Sequence, residues 1–150
     1  MKEKKPNILL IVTDQLRADC LGCYDGYPVR TPHIDALAAE GMVFERAYTP
    51  LPTCCPARQS MISAQRPERH QGLWNYPAGG TGWLHASPDF WPGQLKSMGY
   101  RMAYLGKWHV SPKETPLDFG YERYVDQQEY VKYREAAYGP IAPANGWFGE

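Results

Sequence analysis

The feature that most constrains the fold is a short apolar run near the start of the chain, residues 8–12 (ILLIV), which is followed by an acidic residue, Asp14. This run is too short to cross a bilayer, but it matches a β-strand that is buried on both faces of a parallel sheet. Ligands of open α/β folds gather at the carboxyl ends of such strands. The run therefore predicts a strand over residues 7–13 that places Asp14 at the ligand-binding edge.

Helix signals alternate with further strand-like segments along the chain. Thr31 precedes Pro32, and Gly41 closes the segment, which is the pattern of a helix that is capped at both ends. The same signals predict helices over about 56–64, 89–98 and 126–137 and strands over 42–49 and 99–109. This alternation indicates an α/β protein in which a mostly parallel sheet is sandwiched by helices.

The charge balance of the chain restricts its partners. Sixteen basic and 16 acidic residues give a formal net charge of +0, and no long basic run is present. A nucleic-acid partner is therefore not expected. Three lysines precede the first apolar run, but no signal-peptide core or small-residue cleavage site follows it, so we expect a cytoplasmic protein without a membrane association.

A thiol and a guanidinium lie around the predicted start of the second helix, at Cys54 and Arg58. Pro56 suits the first helical position because its missing N–H costs nothing there. The backbone N–H groups at a helix start point outward at the positive end of the helix dipole and attract anions. Arg58 follows Cys54 by one helical turn. By itself, this pattern fits either an anion site or a plain loop-to-helix junction with a buried cysteine.

Two further groups of side chains have the chemistry of a catalytic or metal site. Alternation along the predicted strand over 99–109 places Lys107 and His109 on one face, where an ammonium and an imidazole could converge on one ligand oxygen. Asp14 and Gln15 are oxygen donors of the kind that Ca²⁺ and Mg²⁺ prefer. The ordinary alternatives are a solvated strand end for the first pair and a turn or cap carboxylate for the second.

The cysteines allow two other interpretations, which the spacing disfavours. Cys20 and Cys23 form a Cys-x-x-Cys pair, and Cys54 and Cys55 are adjacent. A zinc ribbon needs two spaced pairs, whereas adjacent cysteines rarely bind one tetrahedral ion. A thioredoxin-like motif would open a helix after a strand, but the residues after Cys23 are typical of a turn. Cys20 and Cys23 are therefore expected to pack as small hydrophobes.

Taken together, Cys-x-Pro-Ala-Arg at 54–58 and Gly-Lys-Trp-His at 106–109 resemble the motifs of the sulfatase family, whose fold is alkaline-phosphatase-like. The resemblance covers roughly residues 5–125. It implies that a maturation enzyme oxidises Cys54 to formylglycine and that one hydroxyl of the hydrated aldehyde attacks the sulfur of a sulfate ester. The other hydroxyl then loses its proton, so that the diol collapses and releases sulfate. In this register Cys55 is the variable position.

The resemblance also implies roles for the charged site residues. Arg58 would hold the modified Cys54 side chain and its metal-bound oxygens through charge-assisted hydrogen bonds. Lys107 would contact the sulfate as well as the metal-bound hydroxyl, and His109 would assist the nucleophile. The catalytic set is therefore expected to combine the modified thiol with two cations and one imidazole.

Metal and substrate ligands follow from the same resemblance. Asp14 and the modified Cys54 would bind a divalent metal, Ca²⁺ in preference to Mg²⁺. Gln15 stands where the family often has a second aspartate, and its amide oxygen could still bind the metal without contributing charge. Asn75 lies at a spacing from Cys54 similar to that of a substrate-contacting asparagine. A turn asparagine before the Pro/Gly segment is the alternative interpretation of Asn75.

The function that these residues predict is hydrolysis of a small-molecule sulfate ester. Two alternatives stay open: a phosphonate or phosphate ester hydrolase of the same superfamily, and a non-catalytic anion-binding fragment. Residues 1–125 are expected to form the N-terminal part of a larger catalytic domain, and residues 126–150 its continuation. The sheet and the metal shell are accordingly expected to be incomplete in this chain.

Overall fold

The computed structural model describes residues 5–24, 26, 29–76 and 82–140. The chain forms two compact units, Met1–Tyr48 and Thr49–Glu150. Among the described residues, no helix combines the length and apolar character that a membrane span needs.

The first unit contains two short 3₁₀ turns, Ala18–Cys20 and Gly22–Tyr24, and helix α1, Pro32–Glu40. Helix α1 begins after Thr31 and ends before Gly41, which confirms the helix predicted there. The Thr31 hydroxyl does not cap the helix amides; instead it accepts a hydrogen bond from the Gly22 N–H at 2.8 Å. This bond ties the 3₁₀ turns to the start of α1.

The two strands predicted in the first unit do not form. The described residues of 5–13 contain no strand, and Leu9 and Ile11 in the apolar run are 84% and 75% exposed. Residues 42–49 are likewise loop. The predictions of strands over 7–13 and 42–49 are wrong for this structure. An apolar pattern indicates burial, but a strand also needs a hydrogen-bonded neighbour, and neither segment pairs with one among the described residues.

The second unit has four helices and one pair of strands among its described residues. These elements are α2 (Cys54–Ser63), α3 (Pro67–His70), α4 (Trp91–Ser97), β1 (Ala103–Leu105), β2 (Arg123–Val125) and α5 (Gln127–Tyr138). Strands β1 and β2 are parallel, with Tyr104 opposite Tyr124. Helices beside a parallel strand pair agree with the expected α/β class. The sheet formed by the described residues has two strands.

The boundaries in the second unit differ from the predictions at two places. Helix α2 begins at Cys54 rather than Pro56, because the Ala57 N–H already donates to the Thr53 carbonyl at 2.9 Å. The strand predicted over 99–109 is confined to β1, since Gly106 follows it with a φ of +101°. Such a φ suits glycine and takes the chain out of the extended conformation.

Helix α4 lies within its predicted range, and α5 ends one residue beyond its predicted range, at Tyr138. Gly99 follows α4 with a φ of +84°, the glycine stop that the sequence indicated. The Asp126 carboxylate caps α5 by accepting a hydrogen bond from the Glu129 N–H at 2.8 Å. Of the predicted continuation over 126–150, residues 141–150 lie outside the described residues.

An aromatic core anchors the segment that follows β1. Trp108 is buried, its ring meets Phe119 edge to face at 5.0 Å between centroids, and its Nε1–H donates to the Glu114 carbonyl at 2.8 Å. Burial of one such side chain stabilises the fold by about 1.5–3 kcal/mol. Because Trp108 lies between Lys107 and His109, the core holds the backbone of both residues in place.

Candidate active site

The two adjacent cysteines occupy different environments at the start of α2. Cys54 is half-buried, whereas Cys55 is fully buried and donates its N–H to Asn75 Oδ1 at 2.8 Å. Burial raises the pKa of the Cys55 thiol. A thiol that is buried and held protonated is a poor nucleophile and a poor substrate for modification, so this environment favours Cys54 as the reactive position.

Arg58 connects α2 to the segment after β1. Its Nη1 donates to the Lys107 carbonyl at 2.6 Å and to the Tyr104 hydroxyl at 3.3 Å. The Tyr104 hydroxyl donates to the same Lys107 carbonyl at 2.8 Å. Burial raises the pKa of Tyr104, so its hydroxyl stays a neutral donor. Arg58 therefore positions the backbone at Lys107, a contact that the sequence motif did not indicate.

Gln59 makes a second connection one residue farther along α2. Its side chain is fully buried, and its Nε2 donates to the Val110 carbonyl at 3.0 Å and to Cys55 Sγ at 3.3 Å. Sequence reasoning missed this residue. One available signal was its spacing, since Gln59 lies between Cys55 and Ile62 on the face of α2 that is buried.

Lys107 and His109 lie beyond the end of β1, so strand alternation does not apply to them. His109 has a left-handed backbone with a φ of +49°, which corrects the prediction that both side chains share one strand face. The His109 ring meets the Tyr76 ring edge to face at 4.9 Å between centroids. Burial raises the pKa of Tyr76 to about 12, so this neighbour is uncharged at neutral pH.

Residues 107–110 are thus held against α2 at both ends. Arg58 binds the carbonyl of Lys107, and its neighbour Gln59 binds the carbonyl of Val110. The structure brings the Cys-x-Pro-Ala-Arg and Gly-Lys-Trp-His motifs into direct contact, although they are far apart in the sequence.

Asn75 contacts the backbone at the cysteines through its side-chain oxygen, which accepts the hydrogen bond from Cys55. Its amide N–H groups are the part of the side chain with the chemistry to bind a sulfate oxygen. The predicted substrate contact stays a prediction. Of the turn expected after Asn75, residues 77–81 lie outside the described residues.

Asp14 and Gln15 belong to the first unit, whereas the other site residues belong to the second. Both side chains are exposed, and Gln15 has a φ of +46°. A carboxylate beside an amide is a hard oxygen donor set that fits Ca²⁺ or Mg²⁺ as part of a larger shell. Within the part of the chain that the structure describes, no group of three His, Cys, Asp or Glu side chains is arranged to hold a metal.

His70 is buried and makes hydrogen bonds within the protein. Its Nδ1 accepts the Gly72 N–H at 3.1 Å, so in the neutral ring Nε2 carries the proton and donates to Ser60 Oγ at 2.8 Å. Burial lowers the pKa of His70, which favours this neutral form. The hydrogen bond between His70 and Ser60 connects α3 to α2.

Gly72 lies against Gln59, so a larger residue at this position is expected to destabilise the protein. A Cβ added at Gly72 would overlap Gln59 Oε1, and the buried Gln59 side chain is held by its bond to Val110. We expect Gly72→Ala to lower the free energy of unfolding by about 1–3 kcal/mol. Urea denaturation of the full-length protein measures this change.

Gly82 provides the matched control. A Cβ there would meet the Gln71 carbonyl at 3.4 Å, an ordinary van der Waals contact, so Gly82→Ala should be close to neutral. In the double variant Gly72→Ala with Gln59→Ala the clash is removed, and the two effects should not add. Equal losses in the Gly72 and Gly82 variants would show that Gln59 is not held as described.

Comparisons with known proteins place the chain in a family. The family model for sulfatases matches residues 6–142. The chain is 37% identical over 134 residues to the uncharacterized sulfatase YidJ of Escherichia coli strain K12, a match that covers 85% of this chain and 26% of that protein. It is 36% identical over 115 residues to an arylsulfatase of Clostridium perfringens, with 77% of this chain and 23% of that protein covered.

The structure of this chain is also similar to a solved sulfatase structure. The crystal structure of the yidJ protein from Bacteroides fragilis superposes with a TM-score of 0.64 at 35% identity, over 77% of this chain and 26% of that chain. This likeness confirms the expected α/β, alkaline-phosphatase-like fold class. The chain spans about a quarter of the length of the curated relatives that it matches.

Proposed function

The chain belongs to the sulfatase family, and from this premise we propose that the full-length protein is a sulfuric ester hydrolase whose nucleophile derives from Cys54. The observation that carries the proposal is the contact between the two motifs, made by the bond from Arg58 to the Lys107 carbonyl. The bond from Gln59 to the Val110 carbonyl, one residue beyond each motif, supports this contact. These bonds hold the reactive helix start and the Lys107 segment as one assembly.

The side chains of this assembly suit a tetrahedral anion. The start of α2, next to Cys54, is the positive end of the helix dipole. Arg58 and Lys107 add two positive charges, which stabilise the charge that develops on sulfate oxygens during ester cleavage. The imidazole of His109 has the chemistry of a general acid or base.

The proposal also includes a covalent modification of Cys54 and a bound divalent metal. Oxidation of Cys54 to formylglycine by a maturation enzyme would supply a hydrated aldehyde as the nucleophile, and the half-buried position of Cys54 fits that modification better than the buried Cys55 does. A divalent metal, Ca²⁺ in preference to Mg²⁺, would take oxygen ligands from Asp14 and Gln15. The metal would act as a Lewis acid on the anion.

Peptide mass spectrometry tests this proposal directly. The full-length protein is coexpressed with a formylglycine-generating enzyme and digested with trypsin, which releases residues 47–58 as one peptide. We expect an aldehyde at position 54 and a thiol that can be alkylated at position 55. An unmodified thiol at Cys54 under these conditions would overturn the catalytic proposal.

Activity assays on the same preparation distinguish the candidate reactions. We expect hydrolysis of 4-nitrophenyl sulfate to exceed that of the corresponding phosphate and phosphonate esters. Faster turnover of a phosphorus ester would favour the alternative within the same superfamily. Binding of sulfate without turnover of any ester would favour the non-catalytic alternative.

A further inference from the structure

His109 is held in a backbone conformation that residues other than glycine rarely adopt. Its φ is +49°, in the left-handed region, which is unfavourable for a residue with a Cβ. Such a conformation persists only where the surrounding contacts fix it, and it is found preferentially at functional sites. The contacts that fix His109 therefore determine where its imidazole lies.

The backbone is anchored on both sides of His109. Trp108 and Val110 are both buried. The Lys107 carbonyl accepts a hydrogen bond at 2.6 Å from the guanidinium of α2. The Val110 carbonyl accepts one at 3.0 Å from Gln59 Nε2. Because both carbonyls are fixed, the dihedral angles of His109 have to adapt to the positions of its neighbours.

The Gln59 amide is an unfavourable group to bury at this place. The side chain is fully buried, and its Nε2 donates to Cys55 Sγ at 3.3 Å as well as to the Val110 carbonyl. Its Oε1 is also buried, but it has no hydrogen-bond partner among the described residues. A buried polar atom without a partner destabilises a fold. An apolar side chain of the same size would avoid this cost, so what distinguishes glutamine here is the donor that faces Val110.

The His109 ring is also connected to the start of α2. It packs edge to face on the Tyr76 ring, with 4.9 Å between centroids. The adjacent residue, Asn75, accepts the Cys55 N–H at 2.8 Å through its side-chain oxygen. Since Cys55 Sγ also accepts a hydrogen bond from Gln59, Gln59 and the His109 ring contact the same short stretch of α2 and its neighbour.

We propose that Gln59 is a positioning residue for His109. Its bond to the Val110 carbonyl holds the left-handed backbone at His109, and this backbone sets the position of the imidazole relative to the start of α2. The inference rests on the proposed sulfatase function, in which His109 acts as a general acid or base. Because Gln59 is fully buried, it acts through His109 and not on the substrate.

The Gln59→Met variant tests this role, because methionine keeps the approximate size of the side chain but removes the donor. We expect kcat on 4-nitrophenyl sulfate to fall about tenfold, since a small displacement of a group that takes part in the reaction slows the chemical step. KM should stay within about twofold, because the charged groups that would bind sulfate are unchanged. An unchanged kcat, or a change confined to KM, would overturn the proposal.

The Ser60→Ala variant is the matched control for a general loss of stability. Ser60 is the next residue of α2 and also makes one hydrogen bond to another segment, but its partner is His70 at 2.8 Å. Ser60→Ala should lower the midpoint of urea unfolding and leave kcat unchanged. An equal fall in kcat in both variants would show that lost stability explains the effect. If Gln59→Met does not fold, Gln59→Asn replaces it, because asparagine withdraws the amide from Val110 by one methylene.

A double-mutant cycle shows whether Gln59 acts through His109. His109→Ala alone should lower kcat by about 10²-fold. In that background the imidazole is absent, so Gln59→Met should lower kcat no further. Losses that multiply would mean that Gln59 acts on a different group, which would overturn the proposal.

A crystal structure of full-length Gln59→Met protein separates this inference from the proposed catalytic function. We expect the φ of His109 to leave the left-handed region once the Val110 carbonyl has lost its donor, even if the wild-type protein hydrolyses no sulfate ester. Absent hydrolysis would count against the sulfatase function alone. A φ that stays near +49° in the variant would count against the positioning role alone.

Discussion

The Cys54→Ala variant of the full-length protein is expected to lose sulfate ester hydrolysis by about 10⁴-fold or more, whereas Cys55→Ala is expected to retain it. Removal of a nucleophile leaves only the rate enhancement from binding and charge stabilisation. Cys55, by contrast, is buried and faces Gln59, so its side chain packs rather than reacts. Initial rates on 4-nitrophenyl sulfate, with protein matured in the same way, measure both effects.

The Cys55→Ala variant is expected to be less stable than the wild-type protein. Truncation of a fully buried side chain creates a small cavity and removes the acceptor of the Gln59 hydrogen bond, so we expect a loss of about 1–2 kcal/mol in the free energy of unfolding. Circular dichroism at the assay temperature checks that both variants are folded. Equal loss of activity in two folded variants would contradict the assignment of Cys54 as the reactive residue.

The Cys54→Ser variant tests whether product release needs the second hydroxyl of the aldehyde hydrate. A serine hydroxyl can attack sulfur, but it lacks the second hydroxyl whose deprotonation would release the product. Rapid-quench kinetics should therefore show at most one turnover per protein molecule, followed by arrest. Steady multiple turnover by this variant would show that release does not depend on an aldehyde hydrate.

The sequence predicted best those elements whose causes are local. Pro32 and Gly41 specify where α1 begins and ends because proline and glycine act within one turn of themselves. The glycine stop at Gly99 is a further case of the same kind. Each of these signals depends on a few neighbouring residues and needs no information about distant parts of the chain.

Strand predictions failed where the cause is not local. The apolar run over 8–12 has the composition of a buried strand, yet it does not pair among the described residues. A strand needs a partner supplied by another segment, and one sequence pattern does not name that partner. The same argument applies to residues 42–49, whose alternation suggested a strand.

The sequence named candidate side chains for the site, but it did not indicate the backbone contacts between the two motifs. Cys54, Arg58 and Lys107 were identified by residue type and spacing, which are visible in the sequence. Gln59 and Tyr104 were missed because they bind main-chain carbonyls, and every residue has a carbonyl. The motif therefore indicated the charged side chains of the candidate site. The structure shows which hydrogen bonds position the segments that carry them.

Arg58→Lys is expected to lower kcat/KM by about 10²–10³-fold, although it keeps the positive charge. In the structure the guanidinium donates to the Lys107 carbonyl and the Tyr104 hydroxyl at once. A lysine ammonium lacks the planar fork and cannot reproduce both this contact and the proposed contact with the modified Cys54. Loss of one preorganised donor at a developing negative charge has an effect of this size.

Tyr104→Phe distinguishes the two roles of Arg58. It removes the neutral donor to the Lys107 carbonyl at 2.8 Å but leaves the Arg58 bond at 2.6 Å in place. If Arg58 acts on the reacting anion as well as on the backbone, Tyr104→Phe should cost less than about tenfold in kcat/KM and about 1 kcal/mol in stability. A loss as large as that of Arg58→Lys would instead mean that the position of the Lys107 backbone is what matters. Activity and urea denaturation of the two variants, measured in parallel, therefore decide whether Arg58 contributes charge to the reaction or only geometry.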